Sequence, residues 1–387
     1  MPRLLTALTD QTPPHPRYVV WELTLRCDLA CRHCGSRAGK PRADELSVEE
    51  AQDVVAQLAD MGTYEITFIG GEAYLYRGWL EVVRTAAEAG IRCTMTTGGR
   101  QLGPELAKKA QQAGLTAISV SIDGTEAIHD HLRNLKGSHR AAMAALAHGR
   151  AAGMDIRANT QVNRHNLPVL EDLADELVDA GIVGWQVQLT GPMGRAADDV
   201  ELLLQPYDML ELMPRIAAIA ERLETQGVFV EAANNLGYYG PYESRLRRSH
   251  WKGCHAGRFL MGLEANGDVK GCPSLPSAPY VGGNVREAPM AELWAERAPL
   301  RFTREREIDE LWGFCKSCYY AETCRAGCSW TSHTLLGRRG NMPYCHHRAL
   351  ELQAQGIRER IVPAEHAPGV PFDFGRFELV EEPWPSE

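Results

Sequence analysis

The sequence predicts an α/β fold in which one parallel sheet with helical crossovers is followed by a smaller, cysteine-rich region. Short apolar, β-branched runs alternate with amphipathic helical patterns between residues 18 and about 235, and a glycine ends most of the helical patterns. Such alternation is typical of βα units with right-handed crossovers. After residue 250 the periodic pattern stops, and this part contains seven of the eleven cysteines.

The individual elements follow from local patterns. A capping box at Ser47-Val-Glu-Glu50 starts the first helix, and Gly62 ends it after one face of apolar residues. Similar patterns predict helices over residues 79–89, 104–113, 138–152, 167–180 and 209–223. β-Branched runs predict strands over residues 19–25, 65–70, 91–97, 115–122, 155–162, 183–189 and 228–231. These six or seven strands are fewer than the eight of a closed barrel, so we predict a partial, TIM-like (βα)6 barrel, with an open doubly wound sheet as the alternative.

The composition narrows the classes of function. The chain has 387 residues and a formal net charge of −9, and acidic and basic residues are mixed along its length. No basic stripe indicates nucleic acid or anionic lipid, and no apolar stretch is long enough for a signal peptide or a membrane span. We therefore expect a cytoplasmic protein without nucleic-acid or membrane partners. Because cytosolic thiols stay reduced, the eleven cysteines favour metal binding over disulfides.

Changes in residue content along the chain predict the domain boundaries. The segment 237–242, Gly-Tyr-Tyr-Gly-Pro-Tyr, marks one boundary, and Asn266-Gly267 predicts a tight hairpin turn beyond it. The tail from about Val362 is rich in Pro, acidic and aromatic residues, and we expect it to pack loosely or be partly extended. The predicted domains are an N-terminal extension (1–17), the barrel (18–235), a linker (236–250), a cysteine-rich domain of low regular secondary structure (251–350) and a C-terminal helix and tail (351–387).

Three cysteines directly after the first predicted strand have a spacing that suits an iron-sulfur cluster. Cys27, Cys31 and Cys34 form C-x3-C-x2-C, and three thiolates can hold three irons of a cubane while the fourth lacks a protein ligand. At the end of the second strand, Gly70-Gly71-Glu72 combines a flexible backbone with a carboxylate that accepts hydrogen bonds from an ammonium group. Together these motifs resemble the radical S-adenosylmethionine (SAM) enzymes. The resemblance implies that the open iron chelates SAM and that Gly70, Gly71 and Glu72 hold its amino group.

Other positions match the same family less sharply. Ser121 resembles a serine that approaches the SAM ribose or carboxylate, although alternating serines also suit the polar face of a strand. Arg133 resembles an arginine that pairs with the SAM carboxylate, with an ordinary surface arginine as the alternative. The family commonly has an aromatic residue near the adenine at the position of His33, which favours packing there over a fourth iron ligand. Gln188 and Leu189 occupy the place where relatives flank the adenine.

The spacing of the second group of cysteines discriminates more clearly between classes of metal-binding domain. This spacing, C-x12-G-x4-C followed by C-x2-C-x5-C-x3-C and a last cysteine, resembles the SPASM domain, which is appended to radical SAM enzymes and holds two auxiliary 4Fe-4S clusters. A zinc ribbon is the alternative, but it would leave an odd thiolate. By position, the resemblance assigns one auxiliary cluster to Cys315, Cys318, Cys324 and Cys345. It assigns the other to Cys254, Cys272 and Cys328, a set with only three thiolates, so that this cluster has an open iron or a fourth ligand such as His255.

The resemblance implies an oxidoreductase that reductively cleaves SAM to a 5'-deoxyadenosyl radical, which abstracts hydrogen from a peptide or protein side chain. The outcome would be oxidation or cross-linking, as in peptide-modifying maturases, with a flavodoxin- or ferredoxin-type protein as external one-electron donor. One alternative is side-chain modification of a tetrapyrrole, as in heme or heme d1 synthesis. The other is a noncatalytic iron-sulfur electron-transfer or zinc-binding protein. No residue stands out from the sequence as a catalytic acid, base or hydrogen donor, and the lone Cys93 reads as a core residue.

Overall fold

A ten-stranded sheet forms the centre of the computed structural model, which describes residues 12–247 and 253–385. Its order is β10-β9-β8-β1-β2-β3-β4-β5-β6-β7, and β1 to β7 are parallel. Each of β1 to β6 pairs with the next strand in the chain, without the reversal of order that defines a doubly wound sheet. The predicted partial barrel is therefore confirmed, and the doubly wound alternative is wrong. The strands are β1 (Tyr18–Thr24), β2 (Glu65–Gly70), β3 (Arg92–Thr97), β4 (Leu115–Ser121), β5 (Asp155–Val162), β6 (Gly184–Leu189), β7 (Phe229–Ala232), β8 (Leu260–Leu263), β9 (Asp268–Lys270), β10 (Val281–Asn284), β11 (Ile357–Glu365) and β12 (Arg376–Pro383).

Helices of the barrel connect successive strands, and six of them lie within three residues of their predicted bounds. In the numbering given in the next sentence, these six helices are α1, α2, α3, α5, α6 and α8. The helices are α1 (Val48–Asp60), α2 (Trp79–Glu88), α3 (Pro104–Gln112), α4 (Glu126–Arg133), α5 (Ser138–Ala151), α6 (Leu170–Asp179), α7 (Arg195–Asp198), α8 (Met209–Glu224), α9 (Glu243–Leu246), α10 (Ser277–Tyr280), α11 (Met290–Glu296), α12 (Ala298–Arg301), α13 (Phe314–Ser317), α14 (Ala321–Cys324), α15 (Ser329–Leu336) and α16 (His346–Ala354).

The first helix shows why the local patterns were informative. The Ser47 hydroxyl accepts a hydrogen bond from the Glu50 backbone N–H at 3.2 Å, and the Glu50 carboxylate accepts one from the Ser47 N–H at 2.8 Å. This reciprocal pair satisfies two N–H groups that the helix itself leaves unpaired. The buried face of α1 consists of Ala51, Val54, Val55 and Leu58. Each large aliphatic side chain buried in this way contributes about 1.5–3 kcal/mol to folding.

One helix that positions the candidate site, α4, was not predicted. It has only eight residues, too few to show a repeated apolar face. Asn134 ends it in the left-handed conformation, with φ of 56°, and its N–H bonds back to the carbonyl groups of the last turn. The helix buries Leu132 and Arg133 against the barrel, so a charged side chain is carried inward.

The predicted hairpin after residue 250 joins the barrel directly. Asn266 and Gly267 form the turn between β8 and β9, as predicted, with Gly267 at a φ of +90°. Strand β8 pairs in parallel with β1, with Tyr18 opposite Leu260. The cysteine-rich region therefore continues the same sheet. No local pattern could have predicted this pairing, because it joins segments about 240 residues apart.

The regions outside the barrel depart from the predictions in part. Residues 1–11 of the predicted N-terminal extension, 248–250 of the predicted linker and 251–252 of the cysteine-rich domain lie outside the described residues. The described part of the linker is packed, since the buried Tyr239 hydroxyl donates to the Ala232 carbonyl at 2.6 Å. The tail is extended as expected, but it is paired: β11 and β12 form an antiparallel sheet. None of the described helices is both long and apolar enough to span a membrane.

Candidate active site and metal centres

The first cysteine loop leaves the carboxyl end of β1 and is held by backbone contacts. The Gly39 N–H donates to the Leu25 carbonyl at 2.9 Å, and the Cys27 N–H donates to the Gly39 carbonyl at 3.2 Å. Arg195 supports the other side of the loop, because its Nε donates to the Cys31 carbonyl at 2.6 Å. The Arg195 N–H also donates to the Cys34 carbonyl at 2.9 Å. The loop conformation thus depends on residues that are not cysteines.

The three thiols of this loop lie in a low-dielectric setting. Cys31 is buried, and Cys27 and Cys34 are half-buried. Burial raises the pKa of Cys27 to about 12, and the nearby Glu72 carboxylate adds to this shift. Burial also raises the pKa of Cys31, although the charge of Arg133 opposes it. A bound iron ion would displace the thiol protons, so this donor set fits an iron-sulfur cluster better than free thiolates.

Gly70 and Gly71 lie where β2 passes the start of the cysteine loop. A Cβ atom on Gly70 would collide with the Thr24 carbonyl, and one on Gly71 would collide with the Arg26 carbonyl. The Gly71 N–H donates to the Thr24 carbonyl at 2.7 Å, so the two backbones are in direct contact. We predicted from the sequence that these glycines make room for a ligand. In the structure, they first make room for the backbone of the loop itself.

Glu72 is a buried carboxylate beside the first thiol. Its oxygens accept hydrogen bonds from the Thr97 hydroxyl at 2.5 Å and from the Gly98 N–H at 2.7 Å. Burial raises the pKa of Glu72 to about 7, although these two hydrogen bonds oppose the shift. A Glu72 oxygen, the Cys27 sulfur and an Asp28 oxygen lie within 4.8 Å of one another. A cationic group that binds next to Cys27 would therefore meet the Glu72 carboxylate.

A buried ionic network covers the opposite side of the loop. Arg133 donates from Nη2 to Asp123 and from Nη1 to the Cys31 sulfur, the latter at 3.6 Å. His33 Nε2 lies 3.0 Å from the same Asp123 oxygen. Burial alone would raise the pKa of Asp123, but the charges of Arg133 and His33 outweigh it and hold the pKa well below its usual value. Arg133 is only 8% exposed, so the alternative of an ordinary surface arginine is wrong.

The remaining predicted contact residues are divided between the cavity and the core. Gln188 lines the interior of the barrel. Leu189 packs in the hydrophobic core, and its backbone N–H and carbonyl bond to the Asn235 side chain at 3.2 and 2.9 Å. Ser121 is half-buried at the end of β4, and Ser119 on the same strand lines the cavity. The alternation of side chains along a β-strand explains why the adjacent residues Gln188 and Leu189 face opposite sides. Ser119 and Ser121, two residues apart, lie on the same face of β4.

A cavity of about 530 Å³ runs through the barrel interior and reaches both cysteine regions. Gly35 and Ser36 of the first loop lie at one side, and Cys272 of the hairpin loop lies at the other. Two aromatic residues that the sequence did not indicate, Trp330 and Phe372, also line it. Phe372 comes from the loop between β11 and β12, and Trp330 from α15. Trp330 follows a predicted ligand, Cys328, by two residues, which was the only sequence signal available for either residue.

The seven later thiols fall into the two groups that the resemblance implied. The first group, here called the outer set, lines one small cavity together with Tyr238, Tyr320 and His347. The outer set consists of Cys315, Cys318, Cys324 and Cys345. Burial raises the pKa of Cys345 to about 12 and also that of Cys315. Four uncharged sulfur atoms around one cavity fit a cluster that would replace their protons.

The second group, the inner set, consists of Cys254, Cys272 and Cys328. Burial raises the pKa of Cys272 to about 12, and the adjacent Cys254 and Cys328 add to the shift. Cys254 and Cys272 pack against the same apolar group, which includes Tyr280 and Phe302. Cys272 of the inner set therefore lines the barrel cavity, whereas the outer set has a cavity of its own.

Cys93 stands apart from all three groups of thiols. Its side chain is buried in the barrel core and donates to the carbonyl groups of Val83 at 3.6 Å and Ile91 at 3.5 Å. These contacts suit the packing role predicted for it.

Comparisons with known proteins agree with this arrangement. The radical SAM superfamily model matches residues 21–179, and an iron-sulfur cluster-binding (SPASM) domain model matches residues 254–319. The chain is 31% identical to the mycofactocin maturase MftC of Mycobacterium ulcerans, covering 81% of this chain and 83% of that protein. It is 29% identical to an AdoMet-dependent heme synthase of Methanosarcina barkeri, covering 86% of this chain and 97% of that protein.

The fold is also found among solved structures. The crystal structure of Streptococcus suis SuiB bound to SAM superposes with a TM-score of 0.69, covering 88% of this chain and 78% of SuiB at 15% identity. A likeness at this identity concerns the fold alone. Taken with the family models and the relatives, it leads to one conclusion: the chain belongs to the radical SAM superfamily and is a SPASM-domain enzyme that uses SAM and iron-sulfur clusters.

Proposed function

We propose that this enzyme abstracts hydrogen from a side chain of a peptide or protein, which is then oxidised or cross-linked. The observation that carries the proposal is the cavity of about 530 Å³ between the first loop and Cys272. This volume lies within the range typical of small-molecule sites. SAM bound at the first loop would occupy part of the space beside Gly35 and Ser36, and a single substrate side chain would enter the rest while the peptide backbone stayed at the mouth.

We assign the SAM-binding cluster to Cys27, Cys31 and Cys34. When bound, the cluster and SAM supply one-electron reductive cleavage and hydrogen-atom abstraction. Glu72 would accept hydrogen bonds from the amino group of SAM, because a buried carboxylate pairs well with an ammonium group. Its bonds from Thr97 and Gly98 orient it toward the Cys27 side of the loop.

Arg133 has two proposed roles on the other side of the loop. It donates to the Cys31 sulfur, which favours the thiolate form, and its charge can pair with the carboxylate of SAM. Asp123 holds the guanidinium in place, and His33 contacts the same Asp123 oxygen. Ser121 and Gln188 remain candidates for polar contacts to the nucleoside. Leu189 could contribute only through packing, because its backbone polar groups are occupied by Asn235.

The auxiliary sets have proposed roles in electron transfer. We assign one 4Fe-4S cluster to Cys315, Cys318, Cys324 and Cys345, and a second to Cys254, Cys272 and Cys328. Cys272 lines the substrate cavity, so the inner set is positioned to receive an electron from the substrate. Trp330 and Phe372 line the cavity, and their apolar surfaces would help to exclude water from it. A flavodoxin- or ferredoxin-type protein would supply electrons to the first cluster.

The first test concerns the chemistry. Full-length protein is reconstituted anaerobically with iron and sulfide and is then supplied with SAM and reductant. We expect 5'-deoxyadenosine from the wild type and its loss in Cys31→Ala, measured by liquid chromatography and mass spectrometry. Cys93→Ala is the matched control, because it removes a buried thiol outside the three sets and should retain product formation. Wild-type product formation in Cys31→Ala would contradict the assignment.

The second test concerns the substrate. The mycofactocin maturase relative supports a peptide, whereas the heme synthase relative, of which the chain covers 97%, supports a tetrapyrrole. Candidate peptides and carboxylated porphyrins are incubated separately with the active enzyme and analysed by mass spectrometry. A peptide that loses hydrogen atoms supports the first function. A porphyrin that loses mass from its carboxylate side chains, with no change in any peptide, supports the second.

A further inference from the structure

Arg306 is a buried cation that forms no ion pair with a carboxylate in the part of the chain that the structure describes. Its side chain is 4% exposed, and its Nη1 makes one long hydrogen bond, to the Ser329 hydroxyl at 3.4 Å. Within residues 12–247 and 253–385, neither its Nε nor its Nη2 has a hydrogen-bond partner. Burial of an unpaired guanidinium is costly, so a nearby negative charge would resolve the imbalance.

The groups around Arg306 that could become anionic include cysteines of both auxiliary sets. Arg306 and Cys254 of the inner set line the same small cavity. The guanidinium also interacts electrostatically with Cys324 and Cys315 of the outer set. The adjacent carboxylate of Glu310 is already bound by Arg339, at 3.2 and 3.3 Å. Arg306 therefore lies among cysteines that the proposed ligand sets assign to both auxiliary clusters.

We propose that Arg306 is the charge-compensating residue of the auxiliary clusters and tunes their reduction potentials, that of the inner set most strongly. This inference rests on the proposed ligand sets. Clusters held by thiolates carry net negative charge, and their potentials depend on net charge, hydrogen bonds to sulfur and solvent exposure. A reduced cluster has one more negative charge than its oxidised form. A buried guanidinium beside it stabilises the reduced form and raises the potential.

The test uses full-length, anaerobically reconstituted protein and compares Arg306→Gln with Arg306→Lys. Iron and acid-labile sulfide are measured per chain, and the clusters are titrated potentiometrically with electron paramagnetic resonance detection. We expect Arg306→Gln to shift the auxiliary midpoint potentials to more negative values without moving that of the first-loop cluster. Arg306→Lys should restore most of the shift, because it keeps the charge.

Arg304→Gln is the matched control. Arg304 lies two residues away and loses the same charge, but it donates to the Gly257 carbonyl at 2.6 Å and stacks on Trp294 instead of facing a thiol. The midpoint potentials of the auxiliary clusters in Arg304→Gln should equal those of the wild type.

The outcomes separate the inference from the function on which it rests. Full iron content with unchanged auxiliary potentials in Arg306→Gln would overturn the role of Arg306. Equal loss of auxiliary iron in the Gln and Lys variants would also overturn it, because charge would then not be the cause. Loss in Gln with retention in Lys would support it. A wild-type protein that binds iron only at the first loop would instead overturn the proposed auxiliary ligand sets, and this inference with them.

Discussion

The first cysteine loop and the auxiliary cysteine region hold their thiols in different ways. The loop is supported by long parallel strands, by Gly70 and Gly71 in contact with its backbone, and by Arg195 hydrogen bonds to its carbonyl groups. The auxiliary region between residues 314 and 345 has helices of only four to eight residues. Helices this short are unstable without tertiary support. We therefore expect the barrel to position the first thiols in advance, whereas the auxiliary thiols should need a bound metal to hold their surroundings in place.

Removal of iron should produce the largest difference between the two cysteine regions. In protein prepared without iron, we expect amide hydrogen exchange across residues 314–345 to accelerate about 100-fold or more, because metal binding supplies folding energy there. Exchange in β2 to β6 should change little. Cys31→Ala, which affects only the first site, is the control and should leave residues 314–345 protected. Equal protection with and without iron would show that these short helices are stable on their own.

Lys270→Met should destabilise the junction at which the β8–β9 hairpin joins the barrel sheet at β1. Lys270 is fully buried at the end of β9, with Nζ 2.6 Å from a Glu264 oxygen and 2.6 Å from the Leu275 carbonyl. Its loss leaves a buried carboxylate with fewer partners, so the free energy of opening of residues 260–275 should fall by about 3–5 kcal/mol. Hydrogen exchange of this segment measures the effect. Lys108→Met, on the exposed face of α3, should change nothing.

Glu22, on β1, makes the stability of this junction depend on pH. Burial raises the pKa of Glu22 to about 7, although Arg42 at 3.0 Å opposes the shift. Between pH 4.5 and 7 the folded protein therefore holds a proton that the unfolded chain has released, and stability falls as pH rises, by up to about 3 kcal/mol. Thermal unfolding at pH 5, 6 and 7 should show this slope in the wild type and a smaller slope in Glu22→Gln, in which the contribution of Glu72, whose pKa burial also raises to about 7, is retained.

The control for this pH dependence is Glu105→Gln, which alters an exposed carboxylate on α3. It should keep the wild-type slope. A Glu22→Gln variant with an unaltered slope would mean that other groups are responsible for the pH dependence.

Gly71→Ala should separate the two cysteine regions with the smallest change in the free energy of unfolding, about 1–3 kcal/mol. The new Cβ would press on the Arg26 carbonyl and shift the start of the loop, although no ligand is altered. We expect iron to be lost from the first site while the auxiliary iron is retained, measured by iron content and electron paramagnetic resonance. Gly39→Ala is the matched control, since a Cβ there meets no atom within 4 Å. Unchanged iron in Gly71→Ala would contradict a backbone-supported loop.

Much of the barrel could be predicted because its signals are local. The capping box at Ser47, the apolar face of α1 and the β-branched runs each depend on neighbours within a few residues. The short helix α4 was missed because eight residues show no repeat, and with it the burial of Arg133. The paired tail was missed because its strands are stabilised by each other, as in the Arg358–Glu382 ion pair, and not by a local pattern.

The sequence by itself determined the cysteine spacing on which the proposed ligand sets rest, because spacing within a loop is a local property that folding does not alter. Only the tertiary structure decided that β8 pairs with β1, that Phe372 enters the cavity and that Arg306 is buried among thiols. Each of these depends on contacts between residues far apart in the chain. Such contacts arise from burying apolar surface and balancing charge across the whole molecule, and no single segment encodes them.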